Sequence, residues 1–266
     1  MSQLKQSLCL PPFIESGADK EELVRAAAKA GYAAIDLWGR DEDFEETVAL
    51  ANDHGMVVAS MVGHWTHEAG LNDPANHDRI ERELRESIEI AARCGIAGGI
   101  TLSGNLRDGV GVEESAEITV AGIKRVLPLA DEKGVNLNLE LLNSKVDHPG
   151  YEADNTAWGV MVCELADHPR CKLLYDIYHI QIMEGDIIRT IEKNIDHIGH
   201  FHGAGVPGRR DIGGDQELNY AAVAKAIAAT AYEGYLAHEF WPAGDPVAAV
   251  GAAFTVCAQQ GSEVGS

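Results

Sequence analysis

Basic residues are scarce in this chain. It carries 21 lysines and arginines against 42 aspartates and glutamates, a net charge of −21, and the bases gather only in short pairs such as Arg209-Arg210. Affinity for nucleic acid rests on neutralising phosphates with a concentrated basic stripe, so that class of partner is excluded. The acidic excess favours solubility. It also means that an anionic substrate has to be held by a local cation. No uninterrupted apolar run approaches the roughly 18 residues that cross a bilayer, which argues against a membrane span. The first ten residues lack the long apolar stretch of a signal peptide. A cytoplasmic protein is the expectation. Cysteine is sparse and scattered (Cys9, Cys94, Cys163, Cys171, Cys257) with no Cys-x-x-Cys pair. That pattern argues for reduced structural thiols and against a disulfide framework or a cysteine zinc cluster. Walker-type glycine loops, a Gly-x-Gly-x-x-Gly after the first strand and a Gly-x-Ser-x-Gly elbow are all missing.

What is present is enough apolar material for a full core, 45% of 266 residues, distributed in alternating strand and helix patterns. Short apolar runs predict strands at Gln6–Cys9, Ala33–Leu37, Val57–Val62, Gly98–Leu102, Asn136–Glu140, Leu173–Asp176, Ile195–His202 and Tyr235–Glu239. Apolar residues at three- and four-residue steps predict helices at Glu21–Ala30, Phe44–His54, Asp78–Cys94 and Ser115–Lys133. Gly31, Gly55, Gly95 and Gly134 follow these helices, the expected chemistry of a left-handed helix stop. Eight alternating units with no linker predict one α/β domain over residues 1–266, a closed eight-stranded β/α barrel. Three strand-to-helix loops, 63–73, 103–113 and 141–155, are long enough to shape a pocket at the rim where such barrels carry their active sites.

Glu140, Asp176, His202 and Glu239 each close one of the last four apolar runs, at intervals of 36, 26 and 37 positions, close to one-eighth of the chain. Strand alternation puts all four on the phase that points into the barrel. A lone acid at a strand end is usually a solvated rim residue or a cap. Four in phase at barrel spacing point to a shared divalent ion, because three converging carboxylates repel one another unless a cation neutralises them. The oxygen-rich set suits Mn²⁺, Mg²⁺ or Co²⁺. His179, three residues after Asp176, is placed to hydrogen-bond a substrate hydroxyl. Arg209, just past His202, can hold a carboxylate or hydroxyl with its planar fork. His64, beside Trp65 at the end of the third strand, is a candidate pocket wall and substrate contact. His200 is expected one layer below the ion as an orienting group, whereas His148, His168, His197 and His238 read as structural.

These segments resemble the xylose-isomerase-like TIM barrels that act on sugars and keto-acids, and within them the hydroxypyruvate isomerase family. The resemblance is carried by Leu137-Asn138-Leu139-Glu140-Leu141-Leu142-Asn143, Tyr175-Asp176-Ile177-Tyr178-His179, Gly199-His200-Phe201-His202, Val206-Pro207-Gly208-Arg209, Glu217-Leu218-Asn219-Tyr220 and His238-Glu239. It implies that Glu140 and Glu239 are the acid–base pair and also touch the metal, that Asp176 and His202 complete the coordination, and that His179 and Arg209 contact substrate. Histidine at 202 looks like the ketose 3-epimerase branch. The Val-Pro-Gly-Arg loop and the Asn-Tyr pair look like the isomerase branch.

The chemistry expected is metal-assisted proton transfer next to the carbonyl of a small keto-acid or sugar. Return of the proton to the neighbouring carbon isomerises, as from hydroxypyruvate to tartronate semialdehyde or in a 2-oxo-tetronate isomerase; return across the plane epimerises. A keto-sugar lyase or dehydratase and a non-catalytic sugar-binding barrel are the rival readings. A damaged-DNA endonuclease of the same superfamily would need further histidines and a basic groove. A homodimer or homotetramer is expected by analogy with barrels that pair through their helices.

Overall fold

The computed structural model describes residues 4–258, so the extreme ends of the span expected as one domain lie outside the described residues. Eight parallel strands close a barrel in sequence order: β1 Lys5–Cys9, β2 Ala34–Leu37, β3 Val57–Val62, β4 Gly98–Thr101, β5 Asn136–Glu140, β6 Cys171–Asp176, β7 Ile198–Gly203 and β8 Tyr235–His238, with helices between them. Of the described residues, no helix is long and apolar enough to cross a membrane.

Along one arc, β1 lies between β2 and β8, with Ser7 opposite Ala34 and Ala237, and Cys9 opposite Asp36. Along the other, β3 to β6 pair in order, with Ser60 opposite Gly98, Ile100 opposite Asn138, and Glu140 opposite Leu174. Inward-facing Asn138 fills the interior beneath Glu140. A Cβ at Gly98 or Gly199 would collide with its carboxamide, which is why those two strands carry glycine there. On the outer face, Leu141 and Leu173 press against Gly159 of the helix Thr156–Ala166.

The local chemistry explains most boundaries. Gly31, Gly55, Gly95 and Gly134 all have positive φ (106°, 76°, 72° and 73°), the left-handed stop that glycine reaches without a Cβ penalty. Several boundaries differ from expectation. The helix predicted over Ser115–Lys133 is two, Val112–Lys124 and Leu127–Lys133. Pro128 lies in the first turn of the second; without an N–H, and with its ring against the preceding turn, it interrupts the ladder despite a continuous amphipathic pattern. The seventh strand starts at Ile198, since Ile195–His197 form a 3₁₀ turn. β8 ends at His238, although Glu239 N–H still donates to Gly203 O at 3.0 Å.

The three long loops are knitted together. Asn105 and Tyr151 form an antiparallel bridge, and Asn72 N–H donates to Ser103 O at 2.7 Å. The buried Glu152 carboxylate accepts from Asn72 Nδ2 and Ser115 Oγ, both at 2.5 Å. Tyr151 Oη accepts the Ser103 N–H at 3.0 Å and donates to Glu140 O at 3.1 Å, so the rim is anchored to the strand end that carries Glu140.

His238, on the outer phase of β8, is buried edge-on against Tyr32 at 5.4 Å. Neither ring nitrogen has a hydrogen-bond partner among the described residues, and burial lowers its pKa to about 3. The ring is therefore neutral when folded and protonatable near 6.5 when unfolded. Its stabilising effect is full above about pH 6.5 and is lost as the pH falls toward 3, at up to about 1.4 kcal/mol per pH unit. Urea unfolding at pH 6.5, 5.5 and 4.5 should therefore show a shallower loss of stability in His238→Leu than in the native chain. Parallel pH dependences would refute a neutral buried imidazole.

Candidate metal centre

Glu140 and Asp176 are the last residues of β5 and β6, His202 lies in β7, and Glu239 directly follows β8. All four are buried, between 1% and 8% exposed. Each offers one ligand atom, and these atoms lie within 4.8 Å of one another. The spacing that singled them out in the sequence thus corresponds to one cluster of three carboxylates and an imidazole.

Each side chain is aimed by a separate device. Asp176 caps the helix Ile177–Met183: its Oδ1 accepts the N–H groups of Tyr178 at 2.8 Å and His179 at 3.3 Å, which directs Oδ2 to the centre. His179 Nδ1 accepts the Asn143 N–H at 3.1 Å. That assignment puts the ring proton on Nε2, which lies 3.5 Å from Asp176 Oδ2. His179 therefore presents a donor at the edge of the cluster.

Glu239 is held at both oxygens. Trp38 Nε1–H donates to Oε1 at 2.6 Å, Cys9 Sγ approaches the same oxygen at 3.7 Å, and the Arg209 guanidinium donates to Oε2. Burial alone would raise this carboxyl's pKa. The Arg209 and His202 charges and the Trp38 hydrogen bond outweigh it and hold the group well below the usual carboxylate range. Arg209 also stacks over Trp241 at 5.3 Å, and the Trp38 and Trp241 rings lie 5.8 Å apart. The sequence placed Arg209 against substrate; the structure pairs it with Glu239.

His202 Nε2 lies 3.3 Å from Asp36 Oδ2, and its Nδ1 lies 3.3 Å from Glu239 Oε2. Between two carboxylates the ring either carries a proton on each nitrogen or, beside a cation, gives its Nδ1 lone pair to the ion and keeps Nε2–H for Asp36. This observation, with the hard oxygen-rich donor set, fits a divalent ion held by Glu140, Asp176, His202 and Glu239.

His64 is placed differently. Its Nε2 accepts the Leu102 N–H at 2.9 Å and its Nδ1 faces Trp65 O at 3.4 Å. Burial, the largest influence, lowers its pKa to about 4. Both nitrogens serve the backbone of the rim loops, which leaves only the ring face for a pocket. His200 is buried, with a nitrogen that groups with Asp36 and His202. Sequence reasoning missed Asp36 and Trp38. Asp36 closes the apolar run Ala33-Ala34-Ile35 by the same signal as the other acids, but in the second strand, outside the repeat of the last four. His148, read as structural, meets His179 edge-on at 5.4 Å and His67 edge-on at 5.0 Å; no spacing in the sequence announces that contact.

Comparison with known proteins gives the family of the chain. The chain is 29% identical over 230 residues to a 2-oxo-tetronate isomerase of Cupriavidus necator, covering 85% of this chain and 72% of the relative. It is 26% identical over 228 residues to the hydroxypyruvate isomerase of Escherichia coli, covering 81% and 85%. In three dimensions it is similar to a 3-keto-D-glucoside 4-epimerase from E. coli, with a TM-score of 0.78 at 18% identity over 96% of this chain and 98% of the other, which speaks for the fold. The xylose isomerase-like TIM barrel family matches residues 24–257, and the chain belongs to that family.

Proposed function

We propose that this chain is a divalent-metal-dependent isomerase of short keto-acids or sugars, acting by carboxylate proton transfer through an enediol(ate), with hydroxypyruvate to tartronate semialdehyde as the leading reaction. The observation that carries the reading is the convergence of Glu140, Asp176, His202 and Glu239 in one buried cluster. The named isomerase relatives, similar along most of the chain, support the same class. The reading takes residues 1–266 as one working domain, which the family match over residues 24–257 supports.

When bound, Mn²⁺, Mg²⁺ or Co²⁺ supplies Lewis-acid stabilisation of the charge that develops on the keto oxygen. The rest is the work of the chain. Glu140 or Glu239 removes the proton from the carbon beside the carbonyl, and the same group, or the other in its protonated form, delivers a proton to the former carbonyl carbon while the hydroxyl proton passes to the neighbouring oxygen. Glu239 enters ionised, because the Arg209 charge and the Trp38 hydrogen bond favour its charged form. His179 donates from Nε2 to a substrate hydroxyl. Arg209, whose guanidinium is paired with Glu239, is assigned a substrate carboxylate, and the ring face of His64 a further substrate contact. Tyr151 and Asn143 keep the rim loops in register with Glu140 and His179. Two neighbouring activities share this machinery. The 2-oxo-tetronate isomerase relative favours a substrate longer by one carbon; the imidazole at position 202 favours a ketose 3-epimerase.

A panel of short 2-keto acids and ketoses in heavy water, each with Mn²⁺, Mg²⁺ or Co²⁺, should show deuterium entering the carbon beside the carbonyl, and chelation should abolish the exchange. Absence of exchange with every substrate would overturn the reading. Glu140→Gln and Glu239→Gln should each lower turnover at least about 100-fold, the usual general-base contribution; near-native turnover in both would eliminate the two-carboxylate scheme.

Asp176 separates the metal from the scaffold. Asparagine caps a helix as well as aspartate does, and alanine does not. In metal-free protein, Asp176→Ala should be about 1 kcal/mol less stable than Asp176→Asn, while both variants lose Mn²⁺ affinity. Native affinity in Asp176→Asn would remove Asp176 from the ligand set.

A further inference from the structure

We infer that Ser7 and Asp36 form a positioning relay that holds His202 in the tautomer carrying its proton on Nε2, so that Nδ1 is presented to the ion. The inference rests on the metal-dependent reading of the site and adds two residues to it, neither of which touches substrate.

Ser7, Asp36 and His202 are all buried, at most 2% exposed. Ser7 Oγ donates to Asp36 Oδ1 at 2.5 Å, and Asp36 Oδ2 lies 3.3 Å from His202 Nε2. The far side of the ring, Nδ1, faces Glu239 Oε2 at 3.3 Å. The imidazole is thus held between two carboxylates on opposite edges, and its two tautomers differ in which carboxylate receives a proton donor. Only one is compatible with a cation at the Glu239 side: the ring must give its Nδ1 lone pair to the ion and its Nε2–H to Asp36. An ionised aspartate is an acceptor only, so it favours that arrangement. The Ser7 hydroxyl, by occupying Oδ1, turns Oδ2 toward the ring. A carboxylate behind a ligating imidazole also raises its donor strength.

The backbone makes the relay rigid. Ser7 sits at the middle of β1, in register with Ala34 and Ala237, and Cys9 of the same strand is opposite Asp36. Both residues therefore stand on paired strands, and Cys9 Sγ beside Glu239 lies on the same inward phase. A buried carboxylate is costly without partners. Its retention at this position is accounted for by the hydrogen bonds it makes to a serine and to a candidate ligand.

The test uses the full-length protein, titrated with Mn²⁺ alone by calorimetry. ¹⁵N-histidine NMR in Mg²⁺ then reports the His202 ring. The native chain should bind one Mn²⁺ per chain and show His202 protonated at Nε2. Asp36→Asn should weaken Mn²⁺ binding about 10- to 100-fold, the usual loss for an outer partner of a metal ligand, and shift His202 toward the other tautomer. Ser7→Ala should keep the fold and give a smaller loss of affinity in the same direction, so the relay stays testable if Asp36→Asn does not fold. Native affinity and an unchanged His202 spectrum in either folded variant would overturn the relay. Two Mn²⁺ per chain would also overturn it, by assigning Asp36, His200 and His202 to an ion of their own. A native chain that binds no Mn²⁺ would instead bring down the metal-dependent reading itself, an outcome distinct from a native chain that binds while its variants match it.

Discussion

Like charges buried together are the constraint around which this structure is organised. Glu140, Asp176 and Glu239 offer oxygen atoms within 4.8 Å of one another and of His202, in surroundings nearly closed to water. Carboxylates so placed push one another's pKa upward unless positive charge stands among them. The protein supplies part of that charge through Arg209, which favours the ionised form of Glu239. In a metal-dependent isomerase, a divalent ion supplies the remainder. Groups that would otherwise separate are kept together because they grow from strands whose spacing is set by backbone hydrogen bonds, and a closed barrel has no edge along which the sheet can relax.

Much of this was legible in the sequence because the barrel imposes two periods at once. The long one, about a strand and a helix per unit, brought residues 140, 176, 202 and 239 to equivalent positions. The short one, strand alternation, gave them a common phase. Glycine stops at 31, 55, 95 and 134 were visible for a purely local reason, and each has the backbone angle foreseen for it. Asp36 shows where attention to the long period misleads: the same acid-after-apolar-run pattern stands in the second strand, but the regular repeat of ligand-type residues runs only through the last four. Pro128 is in plain view, yet the amphipathic pattern on either side of it runs unbroken, so one helix is expected where there are two. Contacts made by Trp38, Cys9 and His148 are set by tertiary packing across many residues of sequence and have no local signature.

The carboxylates at the centre share a division of labour that a spacing argument does not reach. Asp176 gives Oδ1 to two helical N–H groups and keeps Oδ2 for the cluster. Asp36 gives Oδ1 to Ser7 and Oδ2 to His202. Glu239 gives Oε1 to the Trp38 indole and turns Oε2 to Arg209 and His202. In each, one oxygen is fixed to the frame and the other is turned toward the cluster. This matters because a carboxylate free to rotate would lose the few tenths of an ångström on which metal affinity and proton transfer depend. It also explains why the scaffold side uses directional donors, a hydroxyl, an indole and backbone amides, in place of ion pairs.

In the proposed reading, reaction class and substrate choice fall on different parts of the chain. The clustered charges sit at strand ends, braced by the sheet. The groups that would touch the variable part of a substrate lie beyond them: Arg209 stacked on Trp241 after β7, and His179 held by Asn143 of the loop after β5. Arg209 has a second partner to consider, because its guanidinium is engaged with Glu239 when no substrate carboxylate is present. A keto-acid could draw that cation away from Glu239 and leave the glutamate a stronger base, whereas a neutral ketose would leave the pair intact. Discrimination between acids and sugars would then act through the basicity of Glu239 as well as through binding, which is a physical route by which one barrel framework supports both isomerases of keto-acids and epimerases of sugars.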